Sequence, residues 1–229
     1  MQGLRAVFLH GWGFGPDIWT PVISRLGWDG VQTPDLGFLG TTGASVDEVF
    51  KRIGQEGRPV LAVGHSLGFL WLASQQGWPA GSIMVGVNAF GCFAARPDFA
   101  QGVSARILAR MIKGLETDAA GVVNTFRARC GAPAVPEGCC VNVAPLRAGL
   151  DMLMQADVRT PLAGMAGRIC ILGGTEDAVV PPAMLAASVP GGVTTRWVEG
   201  GHMLPWTNPE ACARLLRDVA ASGAGQPDL

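Results

Sequence analysis

The segment Gly64-His65-Ser66-Leu67-Gly68 constrains this chain more than any other. It follows the apolar run PVLAV (59–63) and leads into FLWLAS (69–74), so it reads as a buried strand, a sharp turn and a helix. A turn this tight brings the strand close to the helix, and a side chain at either glycine position would clash. Ser66 is then held in a strained backbone conformation at the apex. The N-terminus of the following helix offers it N–H groups and a partial positive charge for a developing oxyanion. The plain alternative is a glycine-rich turn with an incidental serine, and the strand before and helix after argue against it.

Around this turn, apolar runs at 6–10, 30–36, 82–88, 168–172 and 194–198 read as further strands. Helical spacing appears at 16–26, 45–55, 67–76, 182–189 and 208–220, with Ser45 and Glu48 expected to form a capping box. From about 90 to 160 there is no clear strand, and 103–129 reads as one or two amphipathic helices. The pattern predicts an α/β fold: a mostly parallel sheet flanked by helices, built from 1–90 and 161–229, with 91–160 inserted as a helical cap. The polar tail 222–229 is expected to fray.

Composition narrows the function. A chain of 229 residues, 48% hydrophobic and 15% charged, suffices for one domain with a sizeable core. No apolar run reaches the roughly 18 residues of a membrane span, and the opening apolar stretch is too short for a signal peptide. The six cysteines lack metal-ligand spacing; adjacent Cys139 and Cys140 are compatible with half of a disulfide framework, but a chain this large does not need one. A reduced, cytoplasmic monomer without metal or cofactor is expected. A net charge of −1 argues against nucleic acid as a partner.

A serine hydroxyl needs an imidazole to take its proton, and only His10, His65 and His202 are available. His202, in Gly200-Gly201-His202-Met203, follows the last predicted strand, where active sites of open α/β sheets gather. It is the expected base, while His65 is expected to point away across the turn. Asp177, in Gly173-Gly174-Thr175-Glu176-Asp177, follows the strand 168–172 and is the expected carboxylate, ahead of Glu176, Asp151 and Asp157. His10-Gly11-Trp12-Gly13 follows the first strand and places the Trp12 amide beside that of Leu67 as the second donor of an oxyanion hole.

Together these segments span nearly the whole chain and resemble the α/β-hydrolase superfamily, in which the carboxylate falls between serine and histidine in chain order. The chain also resembles the pimeloyl-[acyl-carrier protein] methyl ester esterases of biotin synthesis. The likeness rests on HGWG with a following Trp19 and on Pro34-Asp35-Leu36-Gly37-Phe38. It extends to Leu146, Gly149-Leu150, Leu153, Asp157-Val158-Arg159 and Pro161-Leu162. It implies hydrolysis of a methyl ester on an acyl carrier protein, with Trp12 and Phe126 against the substrate chain; short-chain esters are cleaved in that family too. The chain departs from the family in an apparently missing N-terminal hairpin and in Phe69, where another glycine often follows the turn. Gly121 and Thr125 stand where cap arginines receive the carrier.

Between 96 and 150 there are seven basic residues (Arg96, Arg106, Arg110, Lys113, Arg127, Arg129, Arg147) against four acidic (Asp98, Glu116, Asp118, Glu137). That bias fits a surface steering an acidic carrier and an ordinary solvated surface equally well. Two other functions remain: a general short-chain carboxylesterase or thioesterase, and a non-catalytic protein on the hydrolase scaffold. Epoxide hydrolases and dehalogenases need a carboxylate where Ser66 stands, and the usual epoxide-opening tyrosines are excluded in a chain without Tyr.

Overall fold

The computed structural model describes residues 5–40 and 44–222. Strands β1 (Arg5–Leu9), β2 (Val60–His65), β3 (Ile83–Val87), β4 (Ile169–Gly174) and β5 (Thr194–Val198) lie side by side in that order, each pair parallel. Nine α-helices occur among the described residues: α1 (Thr20–Leu26), α2 (Val46–Glu56), α3 (Leu67–Ser74), α4 (Ala105–Arg129), α5 (Val143–Gln155), α6 (Arg159–Ala163), α7 (Pro182–Ser188), α8 (Leu204–Thr207) and α9 (Pro209–Ala221). None is long and apolar enough to cross a membrane.

The sheet is covered on both faces, which is why β2, β3 and β4 are continuous apolar runs with every residue buried. Alternate residues of β1 show the two sides. Phe8 meets Trp19 edge-on at 5.2 Å, on the side where α1 packs against α9. Val7 joins Val49 and Ile53 of α2, and Phe50 of α2 meets Trp71 of α3 at 5.8 Å. The insertion between β3 and β4 carries α4, α5 and α6.

Two expectations change, while the helix or helices expected at 103–129 form as α4. The strand predicted at 30–36 is reduced to two isolated bridges, Gln32 with Val7 and Asp35 with Ser45; Phe8 N–H donates to the Gln32 carbonyl and Gln32 N–H to the Ala6 carbonyl. Pro34 has no N–H to extend a ladder, and Asp35 turns inward. The Ser45–Glu48 capping box does not form; Ser45 offers only its carbonyl, to Val49 N–H. The 103–129 segment is a helix broken at Asp118 (φ −150°, ψ 75°). The Asp118 carboxylate accepts the Gly121 N–H at 2.8 Å and so caps the second half, α4 after the kink. The predicted frayed tail and the residues preceding β1 fall largely outside the described residues.

Candidate active site

The C-terminal ends of β1, β2, β3 and β4 deliver His10, Ser66, Asn88 and the loop after Gly174 to one edge of the sheet. Ser66 has φ 52° and ψ −120°, a left-handed conformation that costs roughly 1–3 kcal/mol and persists only where the surroundings enforce it. The flanking glycines supply that enforcement. A Cβ on Gly64 would lie 2.4 Å from the Phe69 backbone of α3, and one on Gly68 would lie 2.3 Å from the Leu9 carbonyl oxygen of β1. Gly68→Ala should therefore destabilise the fold by about 2 kcal/mol or more. Urea unfolding checks this; an unchanged midpoint would mean that α3 can stand off from β1 freely.

His202 and Asp177 meet directly: Nδ1 of His202 lies 2.7 Å from Oδ2 of Asp177, both side chains fully buried. The other carboxylate oxygen accepts the Val179 and Val180 amides at 2.7 and 2.8 Å. These bonds fix the carboxylate and make Nδ1 the protonated nitrogen, so Nε2 carries the lone pair. That Nε2 is buried and has no hydrogen-bond partner among the described residues. The rival carboxylates lie elsewhere. Glu176 is exposed, Asp151 pairs with Arg147, and Asp157 pairs with Arg159 and Arg96.

His65, set aside above as the base, packs beside His202. Its ring lies 4.8 Å from that of His202, and its Nε2–H donates to the His202 carbonyl at 2.9 Å. Burial first, and then the neighbouring His202, push its pKa well below the usual imidazole value, so it stays neutral. Asn88, missed by the sequence reasoning, adds a second hold. Its Nδ2 donates to the carbonyls of Gly201 and His202 at 2.9 and 2.8 Å, while its Oδ1 accepts the Gly174 amide at 2.7 Å. Asn88 closes β3 at φ 48°, a region Asn tolerates, but nothing in the local sequence marks its reach to His202.

The HGWG loop abuts Ser66: a Cβ on Gly11 would touch His65 Nδ1 at 2.8 Å and Ser66 Cβ at 3.2 Å. His10 Nδ1–H donates to the Gly11 carbonyl at 3.0 Å. That carbonyl and the Trp12 N–H belong to one planar peptide, so anchoring the oxygen also fixes the direction of the N–H. On its other side His10 faces Asp35 Oδ1 at 3.0 Å. Burial alone would raise the Asp35 carboxyl, but the contact with His10 and the bond from the Gly37 amide outweigh it and lower the pKa overall. Leu67, the first residue of α3, has an N–H without an acceptor inside the helix.

A cavity of about 850 Å³ opens above Ser66 and Trp12, roofed by the insertion. Leu108, Met111, Val122 and Phe126 of α4 and Leu150 and Leu153 of α5 make it largely apolar, with Arg110 and Arg129 also on its wall. Phe126 stands edge-on to Trp12 at 5.0 Å. The Trp12 indole donates to the Leu146 carbonyl at 2.8 Å, and α5 approaches so closely that a Cβ on Gly149 would lie 2.7 Å from Trp12. Among the described residues no group of three or more His, Cys, Asp or Glu side chains converges as metal ligands would.

A buried serine at a strained strand–helix turn, beside a bonded His–Asp pair at the carboxyl edge of a parallel sheet, is the arrangement of an α/β hydrolase. The model of the alpha/beta hydrolase family matches residues 6–215, and the chain belongs to that family. The chain is 28% identical over 247 residues to the pimeloyl-[acyl-carrier protein] methyl ester esterase of Aromatoleum aromaticum, covering 93% of this chain and 96% of that protein. It is 31% identical over 196 residues to the protein of the same name from Pectobacterium carotovorum, covering 76% of each. An esterase from Exiguobacterium antarcticum shares the fold with a TM-score of 0.77 at 18% identity, over 95% of this chain and 92% of that one. The chain is a carboxylesterase.

Proposed function

We propose that this carboxylesterase removes the methyl ester from a pimeloyl chain carried on acyl carrier protein, the reaction of biotin synthesis for which its relatives are named. The observation that carries the chemistry is the Asp177–His202 bond, which leaves a buried, unpartnered Nε2 next to the turn bearing Ser66. In the proposed reaction, Nε2 takes the Ser66 hydroxyl proton as Oγ bonds to the ester carbonyl carbon. The carbonyl electron pair moves to oxygen, where the Trp12 and Leu67 amides stabilise it. As the tetrahedral species collapses, the bond to the methoxy oxygen breaks and His202 returns the proton, so methanol leaves. Water then attacks the acyl-serine by the same route, freeing the carboxylic acid and restoring Ser66.

The apolar cavity suits a methylene chain, with Trp12 and Phe126 as its inner walls. The cap's charges also divide. Arg96 and Arg147 are held in ion pairs and Arg127 is buried, whereas Arg106, Arg110 and Lys113 form no ion pair among the described residues. Spaced by four and three residues, they share one side of α4 and suit an acidic carrier.

The test compares hydrolysis of pimeloyl-carrier-protein methyl ester with that of a free short-chain ester across ionic strength. The carrier-bound substrate should show the higher kcat/KM, and its KM should rise with salt. Lys113→Glu, off the cavity wall, should raise that KM by about 5- to 50-fold and leave the KM of the free ester within about twofold. Equal salt response for the two substrates would remove the carrier protein and leave a general short-chain esterase.

A further inference from the structure

The cap buries one cation where no carboxylate meets it. Arg127, near the end of α4, is 6% exposed and forms no ion pair among the described residues. Its Nη1–H donates to the Gly13 carbonyl at 3.0 Å and its Nε–H to the Pro133 carbonyl at 2.7 Å. The guanidinium carbon lies 4.7 Å from the Phe14 ring centroid and 6.0 Å from that of Trp206. One side chain thus ties together the cap, the loop that continues from Trp12, and the helix α8 that follows His202.

Gly13 adopts φ 73°, in a stretch belonging to neither strand nor helix, so no ladder holds its peptide. We propose that Arg127 is a positioning residue for ester hydrolysis: His10 holds the loop before Trp12 at the Gly11 carbonyl, and Arg127 holds it after Trp12 at the Gly13 carbonyl, so that the segment between cannot swing the Trp12 amide away from the oxyanion. The proposal rests on the reading of Trp12 given above. Packing alone does not account for an arginine here. An apolar side chain of similar length would fill the space without a buried charge, and burial does lower the arginine's pKa. The planar guanidinium, however, donates in two directions at once, which a lysine ammonium on a flexible stem reproduces poorly.

The experiment measures kcat per titrated active site, KM for a short-chain ester, and Ki for a trifluoromethyl ketone. That inhibitor adds to the serine and places its oxyanion in the hole, so Ki follows oxyanion stabilisation whereas KM does not. Arg127→Met should lower kcat by about 10- to 100-fold and raise Ki by a similar factor, with KM changed less than about threefold. Arg127→Lys should fall between Met and the wild type. If the Met variant does not fold, the Lys variant decides, with kcat at least about threefold lower and a matching rise in Ki. A folded variant with kcat within about twofold of the wild type, or a loss confined to KM, overturns the proposal. Ser66→Ala run in parallel separates the two claims. Residual turnover there removes the site assignment, whereas an inactive Ser66→Ala beside a fully active Arg127→Met removes only the role of Arg127.

Discussion

Ser66→Ala is expected to lower kcat by about 10⁵-fold while leaving the fold intact. The size of the effect follows from the chemistry: without Oγ no acyl-serine forms, and what remains is whatever the oxyanion donors and the cavity give to direct attack by water. Alanine retains the Cβ and meets the same backbone conformation at φ 52°, so the turn should survive the substitution. The measurement is ester turnover with circular dichroism on the same preparation. A correctly folded variant retaining more than a few per cent of wild-type turnover would show that another residue is the nucleophile.

Asp177→Asn should cost about 10⁴-fold in kcat, for a reason visible in the hydrogen bonds. Oδ1 of Asp177 accepts two amides, from Val179 and Val180, and Oδ2 accepts from His202. In asparagine the oxygen must stay with the two amides, which turns the NH₂ group toward Nδ1 of His202. A donor there forces the lone pair onto Nδ1 and the proton onto Nε2, the wrong tautomer for a base. Fold and binding should persist, so kcat should collapse with KM nearly unchanged. A variant within about tenfold of wild-type kcat would mean that His202 keeps its tautomer without the carboxylate.

Much of the site is legible along the chain because it lies at strand ends. Ser66, Asp177 and His202 each follow an apolar run by a few residues, and a parallel sheet brings such positions to one edge. The glycines of 64–68 could be read with their reason, since the close approaches they permit are between neighbouring elements. The supporting residues were not legible. Asn88 reaches His202 across 114 positions, and Arg127 reaches Gly13 across the same number. Nothing in local pattern marks either contact. The contact of His65 with His202 was not legible either, because it depends on what packs against the turn and not on the residues within it. The 30–36 segment has an apolar, strand-like pattern, but Pro34 and the inward pull of His10 on Asp35 override it.

The break at Asp118 divides α4 by its attachments. After it, Phe126 meets Trp12, Arg127 holds Gly13, and Arg129 donates to the Ala178 carbonyl beside Asp177 at 2.7 Å. Before it, Leu108, Arg110 and Met111 face the cavity without a bond to any of these loops. The stretch before the break therefore shapes the cavity without a tie to those loops, whereas the stretch after it both lines the cavity and holds them. Substitutions at 105–117 are therefore expected to alter the space offered to an acyl chain with the least disturbance of the loops that carry Trp12 and Asp177.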